Sequence, residues 1–173
     1  SRRYSEIHRV QNSRTIVIPG TVLPSRLETT ADNGRGLGNR VIYLGRIVAD
    51  KGIDLLIEAM AGLVSQFPGI HLDVVGPQVA AEYVKRLRTM VSVLGLESTV
   101  TFHGEVDARS KEALLGAAGI VVLPSRWPEP APIVAFEAMS HGKPGVAANV
   151  GGLPEFVEDG KTGVLFEPGN AED

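Results

Sequence analysis

The chain has 173 residues, 43% of them hydrophobic and 21% charged, with a net charge of −3 and no cysteine. This is the composition of one ordinary globular domain with room for a core. It excludes a disulfide scaffold, a thiolate metal site and a cysteine nucleophile, and it offers no electrostatic pull toward nucleic acid.

Residues 1–14 are polar, mildly basic and without a clear period. They read as a junction from a preceding domain, and the domain proper is expected over 15–173. No apolar core follows Arg2 and Arg3, so no leader peptide is expected. No apolar run approaches the roughly 20 residues of a membrane-spanning helix. Thr15–Ile18 is a short strand candidate stopped by Pro19-Gly20. Residues 24–40, rich in Gly, Arg, Asn and Thr, read as a flexible loop. Gly34, Gly36 and Gly38 precede a strand instead of following one, so they are not a dinucleotide fingerprint.

Val41–Leu44 is a continuous apolar run of buried-strand length. From Lys51 the period changes: Ile53, Leu56, Ile57, Met60, Val64 and Phe67 follow one helix face up to Pro68-Gly69. His71–Val75 is the next strand. Ala80, Tyr83, Leu87, Met90, Val91 and Leu94 mark a second helix, and Val100–Phe102 a strand. Asp107 can cap a helix through about Ala118. Ile120–Leu123 is a strand, Pro132–Ser140 a helix and Gly145–Asn149 a strand. A short helix starts at Pro154, and Thr162–Phe166 is the last strand. The segment Pro168–Asp173 resembles a turn and helix cap with no helix after it, so a longer chain is expected.

Short apolar strands alternating with helices predict an α/β fold: a Rossmann-like, doubly wound parallel sheet with helices on both faces. Ligands of such sheets bind beyond the carboxyl ends of the strands, where the strand order switches. The loops after Leu44, Val75, Phe102, Leu123 and Asn149 are therefore the ones that matter.

Two carboxylates, Glu129 and Glu137, stand eight positions apart. Ile133, Val134, Phe136 and Met139 spread apolar side chains around the helix that carries Glu137, the pattern of a buried helix. A carboxylate there needs either a side-chain partner or a ligand. Spacing alone leaves open an acid–base pair of a hydrolase. A helix-embedded carboxylate, however, suits the two adjacent hydroxyls of a ribose. Lys51, near a helix N-terminus, either meets an anion such as phosphate or is a solvated lysine paired with Asp50. Trp127 either walls a sugar pocket or packs its loop. His8, His71, His103 and His141 lack metal-ligand spacing. His103, at a strand end, is a candidate for the cleft wall, with a structural role or simple exposure the expectation for all four. Ser5, Ser125 and Ser140 have no nucleophile-elbow context. A single ligand of base, ribose, diphosphate and sugar would engage Glu137, the helix N-terminus with Arg46 and Lys51, and Glu129.

The motifs Gly45-Arg46-x4-Lys51-Gly52, Phe102-x-Gly104-x-Val106, Glu129-x7-Glu137, Pro144-x-Val146, Gly151-Gly152-Leu153-Pro154-Glu155 and Asp159–Leu165 stand in this order. Together they resemble the retaining glycosyltransferases of family four, the group 1 enzymes of GT-B fold, from about residue 15 to 170. The resemblance implies the C-terminal, donor-binding half of a GT-B fold, with the N-terminal acceptor-binding domain outside this sequence. It implies a UDP- or GDP-linked sugar donor, transfer with retention, and a place in polysaccharide or glycoconjugate synthesis. Arg46 and Lys51 would neutralise the diphosphate, and Glu129 would hold the donor sugar at the reaction centre. Glu137 would hold the ribose, backbone around Val106 would meet the base, and Ile133 and Val134 would belong to the donor nucleotide site. Neither a metal nor another cofactor is expected. The chain alone is expected to bind a nucleoside diphosphate without turning over an acceptor. A cytoplasmic enzyme is expected, any membrane association lying in the absent half. Where the family carries glycine-rich residues after the first glutamate, this chain has Pro130 and Pro132, which supply no N–H. Ala131, Ile133 and later residues remain as donors, so the sugar contacts are expected to differ. The rival readings are a non-catalytic nucleotide- or partner-binding module of the same fold, and a sugar-phosphate hydrolase or epimerase of related architecture.

Overall fold

The computed structural model describes residues 38–130 and 132–172. The junction 1–14, the strand expected at Thr15–Ile18 and nearly all of the loop expected at 24–40 lie outside them. Six strands are formed: β1 (Arg40–Leu44), β2 (His71–Val75), β3 (Val100–Gly104), β4 (Ile120–Leu123), β5 (Gly145–Ala148) and β6 (Gly163–Phe166). Four helices alternate with them: α1 (Ile53–Leu63), α2 (Ala81–Val93), α3 (Ala108–Ala117) and α4 (Ile133–Ser140). Short 3-10 turns occupy Ala49–Lys51 and Leu153–Glu155.

All strand pairs are parallel, in the order β3-β2-β1-β4-β5-β6. The alternation of side chains along β1 sorts the two faces. Val41 and Tyr43 pack with Ile53, Ile57 and Met60 of α1 and with Tyr83, Leu87 and Val91 of α2. Ile42 and Leu44 face the other way, toward Leu115 of α3 and Ala138 of α4. The chain therefore winds one way from β1 to β3 and back across the opposite face to β4, the doubly wound arrangement expected from the sequence. β1 pairs with β2 along its whole length, Arg40 opposite His71 through Leu44 opposite Val75. With β4 it pairs only at Val41–Ile120 and Ile42–Val121. Beyond that point the two strands are not tied together, and a crevice opens between their carboxyl ends.

Several boundaries differ from the sequence reading. β1 starts at Arg40, inside the expected loop. α1 stops at Leu63, before Val64 and Phe67, which are 37% and 54% exposed. The apolar period continues there, but the chain turns to bring Gly69 (φ 85°) and then His71 alongside β1. β3 runs on to Gly104, and the element expected from Pro154 is a single 3-10 turn beginning at Leu153. α4 is not buried all round. It meets the sheet through Ala135 and Ala138, and these small residues leave Ile133 and Met139 on the outside, 66% and 53% exposed.

Candidate functional site

A cleft of about 350 Å³ lies at the crevice between β1 and β4. Its walls are Tyr43–Arg46 after β1, Lys51, Leu123–Ser125 after β4, Glu129, Pro132–Val134 at the start of α4, and Leu153. Arg46, Lys51, Glu129, Ile133 and Val134 thus meet in one place, drawn from positions nearly ninety residues apart.

Lys51 is set by the residue after it. Gly52 adopts φ 69°, and a Cβ there would stand 2.0 Å from the carbonyl oxygen of Pro124. Only glycine lets the start of α1 approach the β4 loop this closely. Lys51 Nζ forms an ion pair with Glu129 Oε1. The alternative of a lysine paired with Asp50 is replaced by a cross-cleft contact. Asp50 contributes its main chain instead: its carbonyl accepts from the N–H groups of Arg126 (2.9 Å) and Trp127 (3.3 Å).

Glu129 is held at both its side chain and its backbone. Ser125, only 5% exposed, donates its hydroxyl to the same Oε1 at 2.8 Å. The Gly152 N–H donates to the Glu129 carbonyl at 2.6 Å. Gly151 (φ 59°) lies so close that a Cβ would stand 2.5 Å from the Glu129 nitrogen. The Glu129 side chain is 14% exposed, and its second oxygen, Oε2, has no partner among the described residues.

Arg46 is exposed, and its guanidinium has no hydrogen-bond or ion-pair partner among the described residues. Its carbonyl accepts from the hydroxyl of Tyr43 at 2.8 Å. Burial, reinforced by the negative charge of Glu129, pushes the Tyr43 phenol well above the usual tyrosine range, so it remains a donor there. On the α4 side, Pro132 serves as N-cap without offering a side-chain bond. The N–H of Ala135 goes back to the Pro132 carbonyl at 3.0 Å. The N–H groups of Ile133 and Val134 are those a helix leaves open at its start.

A strap behind the cleft holds the β4 loop to α1. Arg126 donates to both oxygens of Asp54, at 2.7 and 3.0 Å, and to the carbonyl of Ala49 at 3.2 Å. Tyr83 donates to Asp54 Oδ1 at 2.8 Å. Burial by itself would raise the Asp54 carboxyl, but the bonds from Arg126 and Tyr83 outweigh it and hold the group below the usual carboxylate range. Burial and the bond to Asp54 push the Tyr83 phenol up to about 12.

Glu137 and Val106 do not line the cleft. Glu137 Oε1 accepts from Lys111 Nζ of α3 at 2.5 Å, so a side chain supplies the partner its position demanded. Val106 packs on the Ile42–Leu44–Val75 cluster together with Val134, which also lines the cleft. His103 stays out of the cleft and bonds Asp73 at 2.7 Å. Asp73, 1% exposed, also takes a two-pronged contact from Arg40. His141 pairs with Glu112 at 2.9 Å and His71 bonds Thr101 at 3.0 Å, so each described histidine has a structural partner. Trp127 is 56% exposed and not part of the cleft lining; its backbone N–H ties it to the Asp50 carbonyl. Sequence reasoning missed Tyr43, Lys111, Ser125 and Arg126, none of which carries a local motif.

The chain matches the family model described as glycosyl transferases group 1 over residues 28–173. It is similar to the D-inositol 3-phosphate glycosyltransferase of Arthrobacter sp. (strain FB24), 36% identical over 135 residues, covering 77% of this chain and 32% of that one. Its structure is similar to Anabaena HepE in complex with UDP-glucose, with a TM-score of 0.70 and 36% identity, covering 78% of this chain and 36% of that one. It is also similar to the C-terminal domain of a group 1 glycosyl transferase from Francisella tularensis (TM-score 0.69, 26% identity), covering 77% of this chain and 69% of that one. The chain spans about a third of the length of the curated relatives it matches.

Proposed function

The chain belongs to the group 1 glycosyl transferases, and from that premise we propose that it is the donor-binding half of a retaining enzyme that transfers a sugar from a UDP- or GDP-linked donor. The observation that carries this reading is the meeting of Arg46, Lys51 and Glu129 in one cleft at the switch in strand order. The acceptor would be presented by a second domain outside this sequence, and the enzyme would work in the cytoplasm, with any membrane contact made by that other domain.

In this reading the diphosphate lies between Arg46, Lys51 and the open N–H groups of Ile133 and Val134. These positive groups stabilise the charge that develops on the leaving phosphate, and they do so without a divalent metal. Glu129 meets the hydroxyls of the donor sugar through Oε2, next to the bond that breaks. The ribose reaches Glu137 past Val134, and the base lies toward Val106. Pro132 at the N-cap removes one N–H that the family pattern would offer, so the sugar is held more by Glu129 and less by backbone.

Calorimetry of this chain with UDP and with GDP, each in EDTA, tests the reading. The expected result is binding of one of them at micromolar to millimolar strength, weakened by Glu137→Ala and not by Glu129→Ala. No binding of either by a folded sample overturns the nucleotide site. Binding that requires a divalent ion overturns the metal-free arrangement.

A further inference from the structure

We propose that Glu129, through its contact with Lys51, makes the cleft select the sugar-bearing donor over the bare nucleoside diphosphate that remains after transfer. This rests on the reading of the cleft as a nucleotide-sugar site and adds a role that the site geometry carries by itself.

The cleft has two cationic side chains, and they are not equivalent. Arg46 is unpartnered among the described residues, whereas Lys51 already faces a carboxylate. That carboxylate cannot turn away cheaply. Ser125 bonds the oxygen that Lys51 uses, and the Gly151-Gly152 turn fixes the backbone behind it. A phosphate approaching Lys51 therefore also approaches a fixed negative charge in a partly buried place, where screening by water is reduced. The two ligands present different ends to that charge. In the donor the terminal phosphate is esterified, carries one ionisable oxygen fewer, and brings sugar hydroxyls that can donate to Oε2. In the product the same phosphate is the free end of the diphosphate, and its second ionisation, with a pKa of about 6, leaves it dianionic at neutral pH. Repulsion from Glu129 falls hardest on the product, while its free oxygen rewards the donor. Lys51 and Ser125 act as positioning residues for this discrimination, since they fix where the carboxylate stands.

The test measures affinities of UDP, UDP-glucose and inorganic pyrophosphate, and of the GDP pair if GDP is the ligand, for the unmodified chain and for Glu129→Gln. The amide keeps the shape and the Ser125 bond but removes the charge. The expected result is that Glu129→Gln tightens UDP and pyrophosphate by about tenfold, the scale of one removed charge at this depth. UDP-glucose, which loses a hydroxyl partner as the repulsion is relieved, should gain little or weaken, so the donor-to-product preference drops. A second variant, Ser125→Ala, frees the carboxylate to swing and should tighten UDP two- to threefold, guarding against a misfolded first variant. If Glu129→Gln binds UDP and pyrophosphate no better than the unmodified chain while both remain folded, the discrimination is overturned and the nucleotide site stands. If no nucleotide binds any of the three proteins, the site reading itself falls, and discrimination falls with it.

Discussion

The β3-β2-β1 half of the sheet and the β4-β5-β6 half are built from different materials. The first packs large side chains on one another: Tyr43, Ile53, Ile57, Met60, Leu72, Leu87 and Leu96 are all within 2% of complete burial. The second packs Leu123, Leu153 and Val157 against Ala135, Ala147 and Ala148, with glycine supplying the closest approaches. A Cβ on Gly163 would stand 1.8 Å from the Gly145 carbonyl oxygen. The two cationic cleft residues, Arg46 and Lys51, come from the heavy half, and both glutamates come from the light one. The difference teaches that Arg46 and Lys51 stand beside large buried side chains, with close backbone approach at Gly52 and Gly76, whereas Glu129 stands among small residues and close-packed backbone. Bulk tolerates small rearrangements, but backbone proximity does not tolerate an added atom.

The largest effect should come from emptying the heavy core. Met60→Ala should cost about 4 kcal/mol, while Leu153→Ala in the light half should cost about 2, because loops around an alanine-lined site can close on the gap. Urea midpoints of the two variants check this, and equal costs would dissolve the contrast between the halves. Next, Gly151→Ala adds a Cβ at positive φ and 2.5 Å from the Glu129 nitrogen. It should cost about 2 kcal/mol and weaken UDP-glucose more than UDP, through displacement of Glu129. Thermal unfolding and calorimetry on the same sample separate the two losses. If the light half tolerates the methyl without change, backbone proximity is not what holds Glu129.

The smallest effect concerns the strap that joins the halves. The Asp54 carboxyl is held below its ordinary value of 3.8. A depressed carboxylate contributes stability above its unfolded pKa and loses it as the pH falls through the folded value. Asp54→Asn should therefore cost ~0.5–1 kcal/mol near neutral pH, discounted for its partial solvent contact. The gap to the unmodified chain should close below about pH 3.8. Urea midpoints at pH 7 and pH 3 read the difference, and a constant gap would remove Asp54 from the strap's pH dependence.

Much of this was legible in the residues. Short apolar runs and helical period located each described strand and helix, because both signals are local to a few residues. Asp107 was readable as a cap, and its carboxylate accepts from the Ser110 N–H at 2.7 Å. Period failed where tertiary pairing overrode it: Val64 and Phe67 continue the α1 spacing, yet the turn into β2 leaves them exposed. It failed again on α4, where Ala135, Ala138 and the half-buried Val134 meet the core while Ile133 and Met139 face outward. The motifs singled out Arg46, Lys51 and Glu129, and all three line the cleft. What they could not supply was partnership. Lys51 finds Glu129 across 78 positions, Arg126 finds Asp54 across 72, and Lys111 finds Glu137 across 26. Serine 125 was set aside as a nucleophile, and its role as a donor to Glu129 appears only once the loop after β4 is folded.

The strap also bears on how such a site can change over time. Asp50 grips the β4 loop through the N–H groups of residues 126 and 127, so the hold at position 127 is indifferent to which side chain stands there. Trp127 projects from a fixed main chain, more than half exposed, just ahead of Glu129. The side chain at position 127 can thus change by mutation while the lysine, arginine and carboxylate that line the cleft stay in register. That separation would let one scaffold vary the exposed surface beside its cleft without disturbing the charged groups inside it.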